Sequence, residues 1–311
     1  MRTVSDARIL IIGLGQIGYH DAEYMTGLGL SVDGFDIDQQ AVRRALGDGV
    51  IACSALDFRG YDYYVVAIST HNPGDMFQPY LDGLYGVAGR LRDEGKRGSV
   101  IAIESTVPPG CSRKFINILG HRLHVSHVPH RFFMAERDTH GVRQLRVLGG
   151  CEACCGEAAL RFYKDVLNIP VYPVSSVVYA ELSKVVENTH RFLEIAFAEE
   201  LKIFCDVYGL NFEELRDAIN TKWNEGLLEA RAGIGGHCLP KDSQMYLHLA
   251  SQVLDQSLIK TAKQVDGSYL RHIIPGRGVP RLATLYEDDA SHGGEGIDLK
   301  RLLVSKKVLD E

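Results

Sequence analysis

The chain has 311 residues, 45% of them hydrophobic and 24% charged, with a formal net charge of −6. This is a globular composition, long enough for two domains, and without a basic stripe it excludes nucleic acid as the main partner. No apolar run approaches the roughly 20 residues of a membrane span, and the first residues run straight into a glycine turn rather than a signal cleavage site, so a cytoplasmic protein is expected.

In chain order, ARILIIGLG (Ala7 to Gly15) reads as a buried strand entering a turn. LSVDGFDID (Leu30 to Asp38) is a second strand closing on acidic residues, YDYYVVAIST (Tyr61 to Thr70) a third and GSVIAIEST (Gly98 to Thr106) a fourth. LHVSHVP, RVLGG and NIPVYPV read as further strands, and the sheet ends near Val174. Short apolar runs alternating with helical stretches predict an α/β fold, a Rossmann-type doubly wound parallel sheet over residues 1–174.

From Ser175 the pattern turns helical. Val177 to Tyr208 contains no Gly or Pro and repeats its apolar residues at helical spacing, with Gly209 as a stop. A helix of about thirty residues is long against a mean of about 11–12. Its apolar positions are too many for one face, so it needs a partner surface, and a homodimer is expected. NFEELRDAINT reads as a second helix and KDSQMYLHLASQVLDQSLIKTAKQVD as a third. Residues 175–266 thus form an all-helical central domain, and residues 267–311 an irregular tail.

Seven cysteines, an odd number, do not make a disulfide framework. Cys151, Cys154 and Cys155 form a C-x-x-C-C cluster, but no second cysteine or histidine pair follows at zinc-finger spacing, so no metal is assigned. His121, His124, His127 and His130 recur every third residue. Strand side chains three apart face opposite ways, so most of the four are read as surface or loop histidines.

Gly13-Leu14-Gly15-Gln16-Ile17-Gly18 follows a strand and opens a helical stretch, the setting in which G-x-G-x-x-G binds a dinucleotide. The glycines allow a tight turn and close approach of a pyrophosphate at the helix amino end. Asp36 closes the second strand, where a carboxylate accepts ribose hydroxyls and repels a ribose phosphate, so NAD is favoured over NADP. Thr70 and Glu104, at the carboxyl ends of the third and fourth strands, complete the expected cofactor set.

Three further motifs carry chemistry. ESTVPPG (Glu104 to Gly110) ends a strand at the ligand-binding edge. Lys184 and Asn188 lie four apart on one face of the long helix, where an ammonium and an amide are costly to bury without purpose. In GIGGHCLPKD (Gly233 to Asp242) three glycines let the backbone turn before Cys238, and Lys241 and Asp242 follow at once, ionisable neighbours that decide whether a thiol reacts.

The glycine turn, ESTVPPG, ELSKVVEN and GIGGHCLPKD, in that order, resemble the UDP-glucose/GDP-mannose dehydrogenase family of NAD-dependent nucleotide-sugar dehydrogenases over about residues 7–265. The His237-Cys238 pair looks most like the branch oxidising UDP-N-acetylmannosamine. The resemblance implies that a primary alcohol is oxidised to an aldehyde, which Cys238 attacks to form a thiohemiacetal and then a thioester, before water releases a carboxylate. Lys184 and Asn188 would stabilise the oxyanions, Asp242 would hold Lys184 and the water, and Thr106 would position that water.

Two features depart from the family. It usually places a glutamate after a proline in thioester hydrolysis, where this chain has His130, whose neutral imidazole can also serve as a base. It also carries a third α/β domain gripping the nucleotide, and this chain ends about where that domain would begin, so a sugar or a nucleotide sugar is the expected substrate. Two other readings stand beside this one: a two-electron β-hydroxyacid-type NAD dehydrogenase with Cys238 structural, and a catalytically silent protein that binds NAD or a nucleotide sugar.

Overall fold

The computed structural model describes residues 7–72 and 74–274. The chain divides into two compact units, Met1–Asn188 and Thr189–Glu311. The first opens with β1 (Arg8–Ile12), α1 (Gln16–Gly27), β2 (Ser31–Phe35), α2 (Gln39–Gly47) and β3 (Tyr63–Val66). A small hairpin of β4 (His71–Asn72) and β5 (Asp75–Pro79) leads to α3 (Asp82–Glu94), β6 (Val100–Ile103), α4 (Cys111–Leu119) and β7 (His124–His127). A single helical turn, α5 (Arg137–His140), precedes β8 (Arg146–Gly150), α6 (Ala153–Arg161) and β9 (Val171–Val174).

Among the described residues seven strands form one sheet in the order β2-β1-β3-β6-β7-β8-β9. The unbroken run of isoleucine and leucine in β1 has a simple cause: both faces of the sheet are covered. Ile9 and Ile11 face a core shared with Ala22, Met25 and Ala159, whereas Leu10 and Ile12 face Leu84, Leu91 and Phe115 on the other side. Each such side chain, fully removed from water, contributes roughly 1.5–3 kcal/mol.

The expected parallel sheet is mixed. β8 runs antiparallel to β7, Ser126 lying opposite Gly150, and β9 then runs parallel to β8. A parallel crossover needs a dozen or more residues, usually folded as a covering helix, and between β7 and β8 only the one-turn α5 and a short 3-10 turn form. β8 ends on two glycines that pack backbone against backbone: a Cβ on Gly149 would lie 2.2 Å from the Ser176 carbonyl oxygen, and one on Gly150 2.3 Å from the Gly156 amide nitrogen.

α7 (Val177–Tyr208) has the bounds read from the sequence, and α8 (Phe212–Ile219) follows. The single helix expected beyond Cys238 is two, α9 (Cys238–Ala250) and α10 (Leu258–Ile273), because a turn at 251–253 interrupts an apolar periodicity that runs on in the sequence. α10 also carries the helix past Gly267; from residue 275 the expected irregular tail lies outside the described residues. In the second unit Phe192 and Ala196 of α7 pack on Ile234, Ile259 and Ala262, and Ala198 and Cys205 pack on Phe212. Among the described residues no helix is long and apolar enough to cross a membrane.

Two of the four periodic histidines are not at the surface. His127 is fully buried and His130 is 6% exposed, while His121 is exposed and His124 half-buried. β7 covers only residues 124–127 and sits in the middle of the sheet, so its far end points into the core.

Candidate active site

The turn between β1 and α1 uses its three glycines differently. Gly13 has φ +98°, and a Cβ there would lie 2.5 Å from the Ala67 carbonyl oxygen. A Cβ on Gly18 would lie 1.8 Å from the Gly13 carbonyl oxygen. Among the described residues no atom lies within 4 Å of the same position at Gly15. The fold therefore demands the first and third glycines, and leaves open space at the second. Gly15 caps α1, no side chain bonds to that helix end, and the first turn, with Gln16 and Ile17, carries no acid. A helix amino end of this kind presents backbone N–H groups and partial positive charge to an anion.

Asp36, half-buried after β2, accepts the Leu14 N–H at 2.6 Å and the Asp38 N–H at 2.8 Å. These two bonds hold the carboxylate against the glycine turn and leave further lone pairs for hydroxyl donors. Arg44 donates to the Leu14 carbonyl at 3.2 Å and lies 5.1 Å over the Tyr19 ring. A cation thus stands beside the turn, although the sequence places it eight residues beyond Asp36.

At the ends of β3 and β6, Thr70 donates to the Thr106 carbonyl at 2.5 Å and Ser105 donates to the Ile68 carbonyl at 2.8 Å. Thr70 is buried and Thr106 half-buried, so the two strand ends are clamped together beside the turn. Glu104, expected to join the cofactor set, sits in a buried polar network. It is 2% exposed, accepts the Tyr163 hydroxyl at 2.5 Å and is ion-paired to Arg146. Burial pushes its carboxyl up to about 7, with the Arg146 charge pulling the other way. Arg146 also donates to Asp21 at 3.0 Å.

His130 belongs to the same buried network. Its Nδ1 accepts the Phe132 N–H at 2.9 Å, and its Nε2 lies 3.0 Å from Asp21 Oδ1 and 2.7 Å from the Arg146 guanidinium. Burial first, and the Arg146 charge second, push this imidazole well below its ordinary range, so it is neutral. Nε2 thus faces both an acceptor, the Asp21 carboxylate, and a donor, the Arg146 guanidinium. Both ring nitrogens are engaged by the protein, and neither is offered to a water as a base. One ligand atom each of Asp21, Glu104 and His130 lies within 4.8 Å of the others, and the Arg146 guanidinium supplies the positive charge beside them. Arg146 and Tyr163 were not singled out from the sequence, although an arginine opening the otherwise apolar RVLGG strand was a signal of a buried ion pair.

ELSKVVEN has a structural member that its catalytic look concealed. Glu181, fully buried on α7, accepts the Gly110 N–H and the Ser112 N–H, both at 2.7 Å, one on each carboxylate oxygen. These are amides at the amino end of α4, which has no side-chain cap of its own and begins at Gly110 with φ +96°. The end of ESTVPPG and the start of ELSKVVEN are thereby clasped, and one helical turn further along α7 stands Lys184. Lys184 and Asn188 are both half-buried, and the Lys184 charge is felt at His130.

In the second unit the glycines before Cys238 repeat the same division of labour. Gly233 has φ +88° and a Cβ there would lie 2.4 Å from Leu270, Gly236 has φ +78°, and Gly235 has nothing within 4 Å. Cys238 is a free, exposed thiol and stands at the first position of α9 rather than in a loop, at a helix end with no side-chain cap. Lys241 and Asp242 are buried one turn on and form an ion pair with each other. The same unit holds a cleft of about 440 Å³ lined by Arg191, Arg216, Asn220 and Arg231.

Residues 178–267 match the family model described as UDP-glucose/GDP-mannose dehydrogenase family, central domain. The UDP-N-acetyl-D-mannosamine dehydrogenase of Pyrococcus horikoshii is 27% identical over 83% of this chain and 68% of its own length. The NDP-N-acetyl-D-galactosaminuronic acid dehydrogenase of Ralstonia nicotianae is 27% identical over 86% of this chain and 70% of its own. A solved structure of the Pyrococcus horikoshii UDP-D-ManNAc dehydrogenase superposes with a TM-score of 0.73 at 26% identity, covering 84% of this chain and 68% of that one.

Proposed function

We propose that this chain, whose residues 178–267 match the central domain of the UDP-glucose/GDP-mannose dehydrogenase family, is an NAD-dependent dehydrogenase that oxidises the primary alcohol of a nucleotide sugar or sugar-like substrate to a carboxylate. The observation that carries the reading is the β1–α1 turn. Gly13 and Gly18 are fixed by their own backbone contacts, and Gly15 is crowded by none of the described residues. That space, the uncapped helix end and the tethered Asp36 fit the diphosphate and ribose of a dinucleotide, held by Gly13, Gly15, Gln16, Ile17, Gly18 and Asp36. NAD, when bound, supplies the hydride acceptor.

The chain's own groups do the rest. Lys184 and Asn188 place an ammonium and an amide donor for the oxygen that gains charge as hydride leaves. Cys238, the exposed thiol at the start of α9, attacks the aldehyde carbon, and oxidation of the thiohemiacetal leaves a thioester. Thr106 positions the hydrolytic water. Asp242 acts through its Lys241 ion pair, which fixes the turn after the nucleophile. His130 is proposed as a positioning residue of the buried network rather than as the base. Two chains pair through α7, whose Tyr179 and Phe197 are each 59% exposed and whose Val186 and Phe204 are exposed as well.

The test is the yield of reduced cofactor per molecule consumed, across UDP-sugars, GDP-sugars, free sugars and hydroxy acids. Two equivalents from a nucleotide sugar are expected, with a loss on the order of 10³-fold in Cys238→Ser and NAD affinity kept. One equivalent would establish a two-electron dehydrogenase, and tight NAD binding without turnover a silent binding protein. A monomer by light scattering would remove the pairing.

A further inference from the structure

We propose that the chain binds a structural zinc ion at the amino edge of the sheet, through His121, His124, Cys154 and Cys155. The histidine pair precedes the cysteines in the sequence instead of following them, and the fold brings the two pairs together. His121 lies in the turn after α4, His124 opens β7, and Cys154 and Cys155 lie in the first turn of α6. One ligand atom from each of the four lies within 4.8 Å of all the others.

The separations lie within about 0.5 Å of those of a tetrahedral zinc shell. His121 Nε2 is 3.1 Å from Cys155 Sγ and 3.6 Å from Cys154 Sγ, His124 Nδ1 is 3.4 Å from Cys155 Sγ, and the two sulfurs are 3.9 Å apart. With zinc–sulfur bonds of about 2.3 Å and zinc–nitrogen bonds of about 2.0–2.1 Å, a tetrahedral site has ligand–ligand edges of roughly 3.3–3.8 Å. A His₂Cys₂ set of this shape selects zinc among the common divalent ions. Cys151 adds a third sulfur, 3.1 Å from Cys155 Sγ. Two sulfurs of one zinc tetrahedron stand about 3.8 Å apart, against about 3.5 Å for a nitrogen and a sulfur, so this sulfur is too close to be a second thiolate beside Cys155 and suits a hydrogen bond onto it instead. The separation is also well beyond a disulfide bond of about 2.05 Å.

The topology says what the ion does. β7 has His124 at its amino end and His127 at its carboxyl end, so the site sits at the opposite edge of the sheet from the glycine turn. Four protein ligands leave no open position for a substrate, the mark of a structural site. Its ligands come from the α4–β7 turn, from β7 and from α6, and it pins the reversed β7–β8 pair to the helix that follows.

The full chain, purified with and without added zinc, is measured for zinc by inductively coupled plasma mass spectrometry and for reactive thiols before and after chelation. One zinc per chain is expected. Chelation should expose two further thiols and lower the melting temperature, and zinc should restore both. Cobalt(II) in its place should give intense red-region bands and a thiolate charge-transfer band in the near ultraviolet. His121→Ala/Cys154→Ser should lose the metal, whereas Cys151→Ser should keep it. Should the double variant fail to fold, the cobalt spectrum of the natural chain decides by itself. No zinc uptake, a cobalt spectrum without thiolate character, zinc kept in the double variant, or ready formation of a Cys151–Cys155 disulfide would each overturn the proposal.

Discussion

At the carboxyl edge of the sheet the chain offers a ligand its backbone: a bare Gly15, the amides that open α1, and an Asp36 whose carboxylate is tied back to Leu14. At the amino edge it offers side chains instead, two imidazoles and two thiols drawn from segments some thirty residues apart. β7 shows the contrast within four residues. His124 faces the sulfurs at one end, and His127 at the other is fully buried, with Ser112 Oγ 3.2 Å from its Nδ1. A site made of backbone has to be written contiguously, because only neighbouring residues shape one turn. A site made of side chains can be scattered, because the sheet gathers it.

The contrast is sharpened, first, by asking which residues the carboxyl edge cannot lose. Gly18→Val should abolish folding or cost more than about 4 kcal/mol in urea denaturation, since its Cβ would fall 1.8 Å from the Gly13 carbonyl oxygen. His127 should make the chain acid-sensitive. Burial pushes its imidazole down to about 3, so the folded state refuses a proton that the unfolded chain takes near pH 6.5. Its contribution is present above pH 6.5 and lost as pH falls toward 3, by about 2–3 kcal/mol between pH 7 and pH 4.5. Glu104, held up at about 7, gives the opposite slope over pH 4.5 to 7, so the comparison is His127→Gln against the natural chain, whose acid limb should be the steeper.

A smaller effect separates clasp from catalyst. Glu181→Ala leaves two amides at the start of α4 without their carboxylate and should cost about 2–3 kcal/mol by the same denaturation measurement. The smallest change in stability is the most informative. Gly15→Ala should leave the melting temperature unchanged and weaken NAD tenfold or more, about 1.4 kcal/mol, in titration calorimetry. An unchanged affinity there would break the reading of this edge as a dinucleotide cradle.

Much of the fold was legible because its signals are local. The ILII run, the glycine turn after it and the uninterrupted Val177–Tyr208 stretch each declare themselves within one window. The direction of β8 was not, because no residue of RVLGG states which neighbour it joins or how it runs. The helix break at 251–257 hid behind a periodicity that spans it. In the candidate site, Lys184, Asn188 and Cys238 stood out by residue type, but motif membership gave no sign of the buried pairing of Glu104 and passed over the clasp of Glu181. Their roles depend on Arg146, Tyr163 and the start of α4, partners 42 to 71 residues away that proximity in sequence does not reveal.

The two glycines that close β8 seat different helices although they are neighbours. Gly149 lets the Ser176 carbonyl, just before α7, settle onto the strand, and Gly150 does the same for the Gly156 amide within α6. An added methyl at either position would therefore act in a different direction: one would lift the foot of the long helix, the other would tilt the turn bearing Cys154 and Cys155. Alanine at each position in turn would thus report separately on the proposed oxidation and on the proposed metal site.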